Sequence, residues 1–347
     1  MLNSFRICLF VITLFLVCFL YSVSAILLPF ILGVILAYLL NPLTLYLEKG
    51  LSRSFASIIS LMFLIVILVA AILVVGPYLY QELSMFVKEM PDYLANIGAI
   101  LSPYIDQFYN SFGIKIYEGD NTVLQRASQN IIKLSTGLLA NIWSSSIAFI
   151  NVVALLIITP IVSFYLLRDW NEIADKFYDL VPRKNLTTVK DLFARIDRVL
   201  SGYIRGQLNV CFLLGIFYSI GLGAMGLSYG VLLGFVSGVL VLLPYFGVAI
   251  GMIIAVVLAY LQFGEYSQIL LVVFIYLSGQ FIEGNFITPK LVGNKVGLHP
   301  AIIIFSLLSG ASLFGFVGIL FAIPFAASLW VCLHHFITLY KKSSSYK

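Results

Sequence analysis

Apolar residues run along this chain in long unbroken stretches, separated by two mixed segments and punctuated by proline and glycine. The first stretch extends from Ile7 to Leu28, where Pro29 interrupts it. A second runs from Phe30 to Leu47 and stops at Glu48-Lys49-Gly50, and a third runs from Phe55 to Gly76-Pro77. After a mixed segment, a fourth covers Ile142 to Leu167, with a kink expected at Thr159-Pro160. A charged segment follows from Arg168 to Arg205. The remainder is almost entirely apolar, broken by Gly226, Pro244, Glu265, Lys290 and Pro324. Continuous rather than alternating apolar runs predict spanning helices and argue against a barrel, and each spanning helix needs roughly 20 apolar residues.

Two of these runs are the wrong length for one span. Ala301 to Ile337 is too long, so a helical hairpin or re-entrant pair is expected, turning near Ser309 to Gly315. Gly230 to Leu261 is expected to form two segments broken at Pro244. The predicted fold is all-α: a polytopic membrane protein of about eight transmembrane helices, some broken or re-entrant, with amphipathic helices outside the bilayer. The expected division is 1–79 for the N-terminal transmembrane spans, 80–141 for an extracytoplasmic amphipathic segment and 142–167 for one transmembrane span. Residues 168–205 then form a cytoplasmic amphipathic segment and 206–340 a Gly-rich transmembrane core.

Both mixed segments carry helical periodicity. Leu79, Leu83, Phe86, Met90, Tyr93 and Ile97 alternate intervals of four and three, as do Val189, Leu192, Ile196, Val199 and Tyr203. Leu124, Ala127, Ile131, Leu134 and Leu138 repeat the pattern after Thr122 and Gln125, which have capping-box spacing. Each set makes one apolar seam, suited to resting on the membrane or on the chain's own spans, or to meeting another subunit. Pro91 and Pro103 interrupt the first seam and argue against one long coiled coil.

Composition sharpens this picture. Of 347 residues 61% are hydrophobic and 10% charged, whereas a soluble domain carries about 25% charged residues; the solvent of such a chain is lipid. The N-terminal run continues too far past Val23-Ser24-Ala25 for a cleaved signal peptide and reads as two uncleaved spans. Eight basic residues lie between Arg168 and Arg205, against four (Lys88, Lys115, Arg126 and Lys133) between Tyr80 and Asn141. The positive-inside rule then places the N-terminus, the Arg168 segment and the C-terminus inside and residues 80–141 outside. Cys8, Cys18, Cys211 and Cys332 are isolated in apolar sequence and make no redox or metal spacing.

Candidate chemistry is sparse. Gly226, Gly230, Gly234 and Gly238 recur every fourth residue, as do Gly247, Gly251, Ala255 and Ala259, and then Gly318, Ala322 and Ala326. Small residues on one helix face let backbones approach closely in lipid, and such faces can also slide. Leu243-Pro244-Tyr245-Phe246-Gly247 and Ala322-Ile323-Pro324 are candidate helix breaks, where transporters place binding sites. Gly234-Phe235-Val236…Pro244 is echoed by Gly315-Phe316-Val317…Pro324, a candidate internal repeat. Glu283 stands out within an apolar span, with Gln280 and Tyr276 on its face. A carboxylate there costs about 2.5–3.5 kcal/mol on insertion scales, so it faces a cavity, pairs with a cation such as Lys290 at the interface, or takes up a proton. Glu265 beside Gly264 is expected in a solvated loop, Arg168-Asp169 at an interface, and Asn209, Asn151 and Ser163 are lesser candidates for polar lining. There is no G-x-x-x-x-G-K-[ST] loop and no H-E-x-x-H among the residues around His299, His334 and His335, so neither ATP hydrolysis nor intramembrane proteolysis is expected. No cofactor and no nucleic-acid partner are expected; the expected partners are the lipid bilayer and a small-molecule or ion substrate.

At this point the chain resembles a known family. Gly202-Tyr203-Ile204-Arg205-Gly206-Gln207, then Gly221, Gly234, Gly238 and Pro244-Tyr245-Phe246-Gly247, are similar to the autoinducer-2 exporter family, also called PerM-like permeases. Gln280-Phe281-Ile282-Glu283, Pro289, Gly293, Gly297-Leu298-His299-Pro300, Gly315, Gly318 and Pro324 match its C-terminal signature in order. Pro29, Ala37-Tyr38 and Pro42 resemble its first spans, and Tyr165 to Trp170 the end of its middle span. One departure is Val248 after Gly247, where many relatives carry proline. The resemblance implies a homo-oligomeric multi-span carrier of the bacterial inner membrane, exporting a small solute, as one relative is associated with autoinducer-2, or exchanging a monovalent cation for protons. Glu283, Gln280, Tyr276, Pro244, Gly247 and Pro324 are the expected substrate and coupling residues. A passive channel or a non-transporting scaffold is the alternative.

Overall fold

The computed structural model describes residues 22, 27–112, 146–243, 246–287 and 298–342. Most of the first apolar stretch, the Leu124–Leu138 seam, Pro244, Tyr245 and Lys290 lie outside these residues. All regular structure among them is helical.

The N-terminal bundle has three helices: α1 (Leu27–Leu47), α2 (Arg53–Phe112) and α3 (Ser146–Asp179). Pro29 falls in the first turn of α1, where a missing N–H costs little. The helix does not end with the apolar run at Gly76-Pro77. Helix α2 runs 60 residues through Pro77, Pro91 and Pro103, roughly 90 Å at the usual rise. All three prolines occupy exposed positions, so their rings meet no neighbouring helix. The boundary expected near residue 79 therefore falls inside a helix, and the lipid-facing run and the first amphipathic seam form one rod. Helix α3 likewise passes through Pro160.

Small and hydroxylic residues hold this bundle together. Gly33 of α1 sits against Val162 and the Thr159 carbonyl of α3, where a Cβ would collide. Thr44 donates to Ser60 Oγ at 3.0 Å, both fully buried, and Ser60 donates to the Ala56 carbonyl. Arg53 caps the arrangement by donating from Nε to the Leu167 carbonyl at 2.8 Å.

A 3₁₀ turn at Arg183–Asn185 leads into α4 (Leu186–Ala224), which carries the second amphipathic seam and then crosses the apolar core as one helix. Arg205 Nε of α4 donates to the Tyr38 carbonyl of α1 at 2.8 Å and ties the two halves together. Next come α5 (Gly230–Leu240), α6 (Phe246–Phe263) and α7 (Tyr266–Ile282), the last extended by a π-turn at Glu283–Ile287.

Helices α5 and α6 form a helical hairpin. At its mouth, Gln262 near the end of α6 accepts from the Ser228 N–H at 2.7 Å and donates to the Gly226 carbonyl at 2.9 Å. Both ends of the hairpin therefore lie at the same end of α4. The 11 residues of α5 reach only about 16 Å. The glycine ladder explains the packing. Gly230 faces the Leu222 backbone, Gly234 the Tyr218–Ser219 backbone, and Gly238 the Gly215 backbone, all closer than a Cβ allows. Gly247 and Gly251 bring α6 against Leu240 and Ser237 in the same way, and Ala255 and Ala259 are fully buried.

The C-terminal run folds back on itself. Helix α8 (Pro300–Gly315) and helix α9 (Val317–Lys341) meet at Gly315, whose φ of 58° and ψ of −137° are open essentially to glycine alone. Gly310 of α8 abuts Gly318 and Ala322 of α9. The break expected at Pro324 is absent, because this buried proline lies inside α9 and the chain turns at Gly315 instead. Pro324 and the break between α5 and α6 thus hold different structural places, and the echo between the two segments does not extend to their geometry. Among the described residues six helices are long and apolar enough to cross a membrane, with three shorter apolar ones beside them.

Candidate functional site

The site grows from one face of α4. Gln207, Cys211 and Tyr218 fall at intervals of four and seven, so they share a face. Opposite them, α7 presents Tyr276, Gly279, Gln280 and Glu283. Gly279 lies directly on the Tyr218 ring, and this contact lets the two helices meet.

Tyr218 and Tyr276 form the floor. Both are fully buried and stack with ring centroids 4.6 Å apart and planes 24° from parallel. The Tyr276 hydroxyl shares a 2.8 Å hydrogen bond with Ser237 Oγ of α5, and Gly251 leaves room for that pair. The Tyr218 hydroxyl is buried without a well-formed hydrogen bond, although Gln280 lies beside it. A buried hydroxyl in this condition costs on the order of 1–3 kcal/mol and marks a place where a ligand or water atom would be accepted.

Above the floor, Gln280 Nε2 donates to Glu283 Oε2 at 2.6 Å. Glu283 is half-buried at the start of the π-turn and within electrostatic reach of Cys211 and Tyr218. π-turns recur at functional positions because their wider ring frees backbone carbonyls. Gln207 Nε2 donates to the Val241 carbonyl at 2.8 Å, which brings the tip of the α5–α6 hairpin to this part of α4. The α8–α9 pair arrives one turn away, where Leu307, Ala322 and Ile323 pack with Tyr203. Two helical hairpins and the only carboxylate of α7 and its π-turn converge on a two-turn window of α4, Tyr203 to Cys211.

Of the expected site residues, Glu283, Gln280 and Tyr276 come together. Gly247 serves packing against the Leu240 carbonyl at the hairpin tip, while Pro244 lies outside the described residues. Pro324 is buried in α9 and contributes no break. Asn209 is exposed, and Ser163 is buried in the N-terminal bundle, so neither lines this site. Glu265 sits at the N-cap of α7 and accepts from Ser267, as a solvated loop residue does. Gln207, Cys211, Tyr218 and Ser237 were missed as site residues. The available signal was polar or hydroxyl positions sharing one face of an otherwise apolar helix.

The opposite end of the hairpin carries a second polar contact set. Glu82 Oε2 of α2 accepts from the Leu232 N–H at 3.0 Å, satisfying one of the free amides at the start of α5. Glu89 Oε2 accepts from the Tyr229 hydroxyl at 2.6 Å. Burial, with the Glu89 carboxylate beside it, holds that hydroxyl above its ordinary pKa and keeps it a donor. Tyr229 adopts a left-handed conformation, φ 60° and ψ 16°, which costs a non-glycine residue about 1–2 kcal/mol.

Comparison with known proteins agrees with this architecture. The profile of the AI-2E family, described as AI-2E family transporter, matches residues 9–338. YrrI of Bacillus subtilis, named as a candidate transport protein, is 29% identical over 91% of this chain and 88% of its own length. YueF of the same organism, named likewise, is 26% identical over 88% of this chain and 83% of its own. The Escherichia coli K12 protein PerM, named as a candidate permease, is 27% identical over 90% of this chain and 87% of its own. A profile match over nearly the whole length, on a helical fold with several spans long and apolar enough to cross a membrane, shows that this chain is a multi-pass membrane protein belonging to the AI-2E family of transporters.

Proposed function

We propose that the protein is a secondary transporter of the bacterial inner membrane that exports a small solute or exchanges a monovalent cation for protons, with Glu283 as its coupling group. The observation that carries this reading is the placement of Glu283. A carboxylate inside a spanning segment is costly unless it binds a cation, a proton or a polar solute. Here it is oriented by Gln280 and set beside the tip of a helical hairpin, an arrangement in which carriers hold substrate. The buried Tyr218 hydroxyl, with Gln280 beside it, adds a second polar group near Glu283. Phe86 and Tyr93 of the α2 seam pack on the chain's own core, the apolar positions of α2 left exposed suit self-association, and a homo-oligomer is part of the proposal.

The test is flux in proteoliposomes under an imposed pH gradient, read by internal pH, with Na⁺, Li⁺ and K⁺ added in turn. Cation-triggered proton movement that disappears in Glu283→Gln, while the variant keeps its thermal transition, supports antiport through Glu283. Fully coupled flux in that variant removes Glu283 from the mechanism. Absence of proton movement with every cation removes the exchanger branch and sends the search to organic solutes.

A further inference from the structure

We infer that Glu82 and Glu89 are positioning residues that hold the mouth of the α5–α6 hairpin against α2, and that this latch opens during the transport cycle. The second half of this statement rests on the carrier reading above; the first does not.

The contacts at the mouth differ in charge from those along the hairpin. Along its length, α5 meets α4 chiefly through Gly230, Gly234 and Gly238 against bare backbone, with one neutral hydrogen bond to each neighbouring helix: Ser219 Oγ donates to the Val231 carbonyl at 3.0 Å, and Ser237 shares one with Tyr276. Small-residue faces of this kind let backbones pack closely. At the mouth the acceptors are carboxylates. Glu82 binds the Leu232 amide, a free donor at the positive end of α5, and Glu89 binds Tyr229. Phe86, between the two carboxylates in sequence, packs edge-on against the Tyr229 ring at 5.3 Å. Tyr78 and Tyr93 each donate to one of the same carboxylates, at 2.6 and 3.1 Å, and hold them in place from within α2.

Two further features make this a latch rather than a fixed joint. Tyr229 is held in a left-handed conformation, so the closed mouth carries backbone strain that opening relieves. Gln262 clips the end of α6 to the loop at Gly226 and Ser228, so both limbs at the mouth move together. At the far end, the Gln207–Val241 bond fixes the tip beside the Glu283 site. Releasing the mouth therefore tilts the hairpin about its tip and changes access to that site.

The experiment has two arms on the full chain. In the first, amide exchange is followed by mass spectrometry in detergent or nanodiscs. Glu82→Ala with Glu89→Ala is expected to speed exchange across residues 228–240 roughly five- to tenfold, the scale of losing a helix cap, while α4 and α7 keep their protection. Glu82→Gln with Glu89→Gln retains the acceptor oxygens and restores most of it. Unchanged exchange in the alanine pair overturns the latch. In the second arm, Phe86→Cys and Tyr229→Cys are joined by a short bifunctional thiol reagent with a reducible spacer, and each single variant is treated as a control. Loss of flux on crosslinking, with recovery on reduction, supports opening during transport. Flux unaffected by a complete crosslink overturns it. If the native chain moves no cation or solute at all, the carrier reading fails and takes the opening step with it, while the exchange arm still decides whether the carboxylates hold the mouth.

Discussion

Tyr218 and Tyr276 stack on one another inside the core, yet their hydroxyls are in opposite situations. Removing the Tyr276 oxygen leaves Ser237 unpaired, so Tyr276→Phe is expected to destabilise the protein by about 1 kcal/mol. Removing the Tyr218 oxygen deletes a buried group that has no well-formed bond. Tyr218→Phe is therefore expected to leave stability unchanged or slightly raised, while reducing flux if that hydroxyl meets substrate. Thermal unfolding in detergent beside a flux assay on both variants separates the two roles. A matched loss of stability in the two would show that Tyr218 is also satisfied in the folded protein. At this scale the sequence exposed only part of the site. Glu283 was conspicuous as a charge within an apolar run, and Gln280 and Tyr276 followed by helical spacing. Tyr218 and Ser237 are hidden because hydroxyl-bearing residues are common in spanning helices, and only the fold shows which of them are brought to the site.

The elements respond to glycine more than to proline. A side chain at Gly234 would strike the backbone of Tyr218 and Ser219, which cannot move without shifting all of α4. Gly234→Ala is expected to cost about 1–3 kcal/mol through overpacking, whereas Gly98→Ala, in open space on α2, is expected to be neutral or stabilising. Thermal midpoints of the pair check this. Gly315→Ala meets no neighbour but would force alanine into a conformation reserved for glycine, at a cost of about 1–3 kcal/mol. An unchanged midpoint would show that the α8–α9 turn relaxes without it. The break expected at Pro324 is absent for a reason that also holds at Pro77. Proline forbids one hydrogen bond and one clash-free neighbour, and a long helix survives both when the surrounding turns remain bonded. The reversal at Ser309–Gly315 was legible because the run was too long for one span, a constraint set by bilayer thickness.

For the whole molecule, what composition and length dictate was readable in advance: a helical membrane protein with long spans, amphipathic extensions and two interrupted segments. What depends on pairing was not. The arrival of the α8–α9 pair at Tyr203 of α4, and the reach of α2 to the mouth of α5, join residues more than a hundred positions apart, and the tip of α5 meets α4 across 34. No local pattern encodes such distances. The hairpin makes a topological prediction. Reporter groups attached at residue 226 and residue 264 should report the same compartment, since Gln262 binds the Gly226 carbonyl. Opposite compartments would show that α5 and α6 together cross the bilayer.

The shortness of α5 also bears on how the chain is built. Eleven residues cannot by themselves span a hydrocarbon layer about 30 Å thick, and the Val241 carbonyl at the end of α5 is satisfied by Gln207 of α4 rather than within the hairpin. The segment therefore needs α4 beside it to be accommodated. The groove that accepts it, the glycine-matched face of α4, is made earlier in the chain, whereas α7, which closes the other side, is made later. Insertion of the hairpin is thus a folding event rather than a translocation event, completed only when its two walls are present.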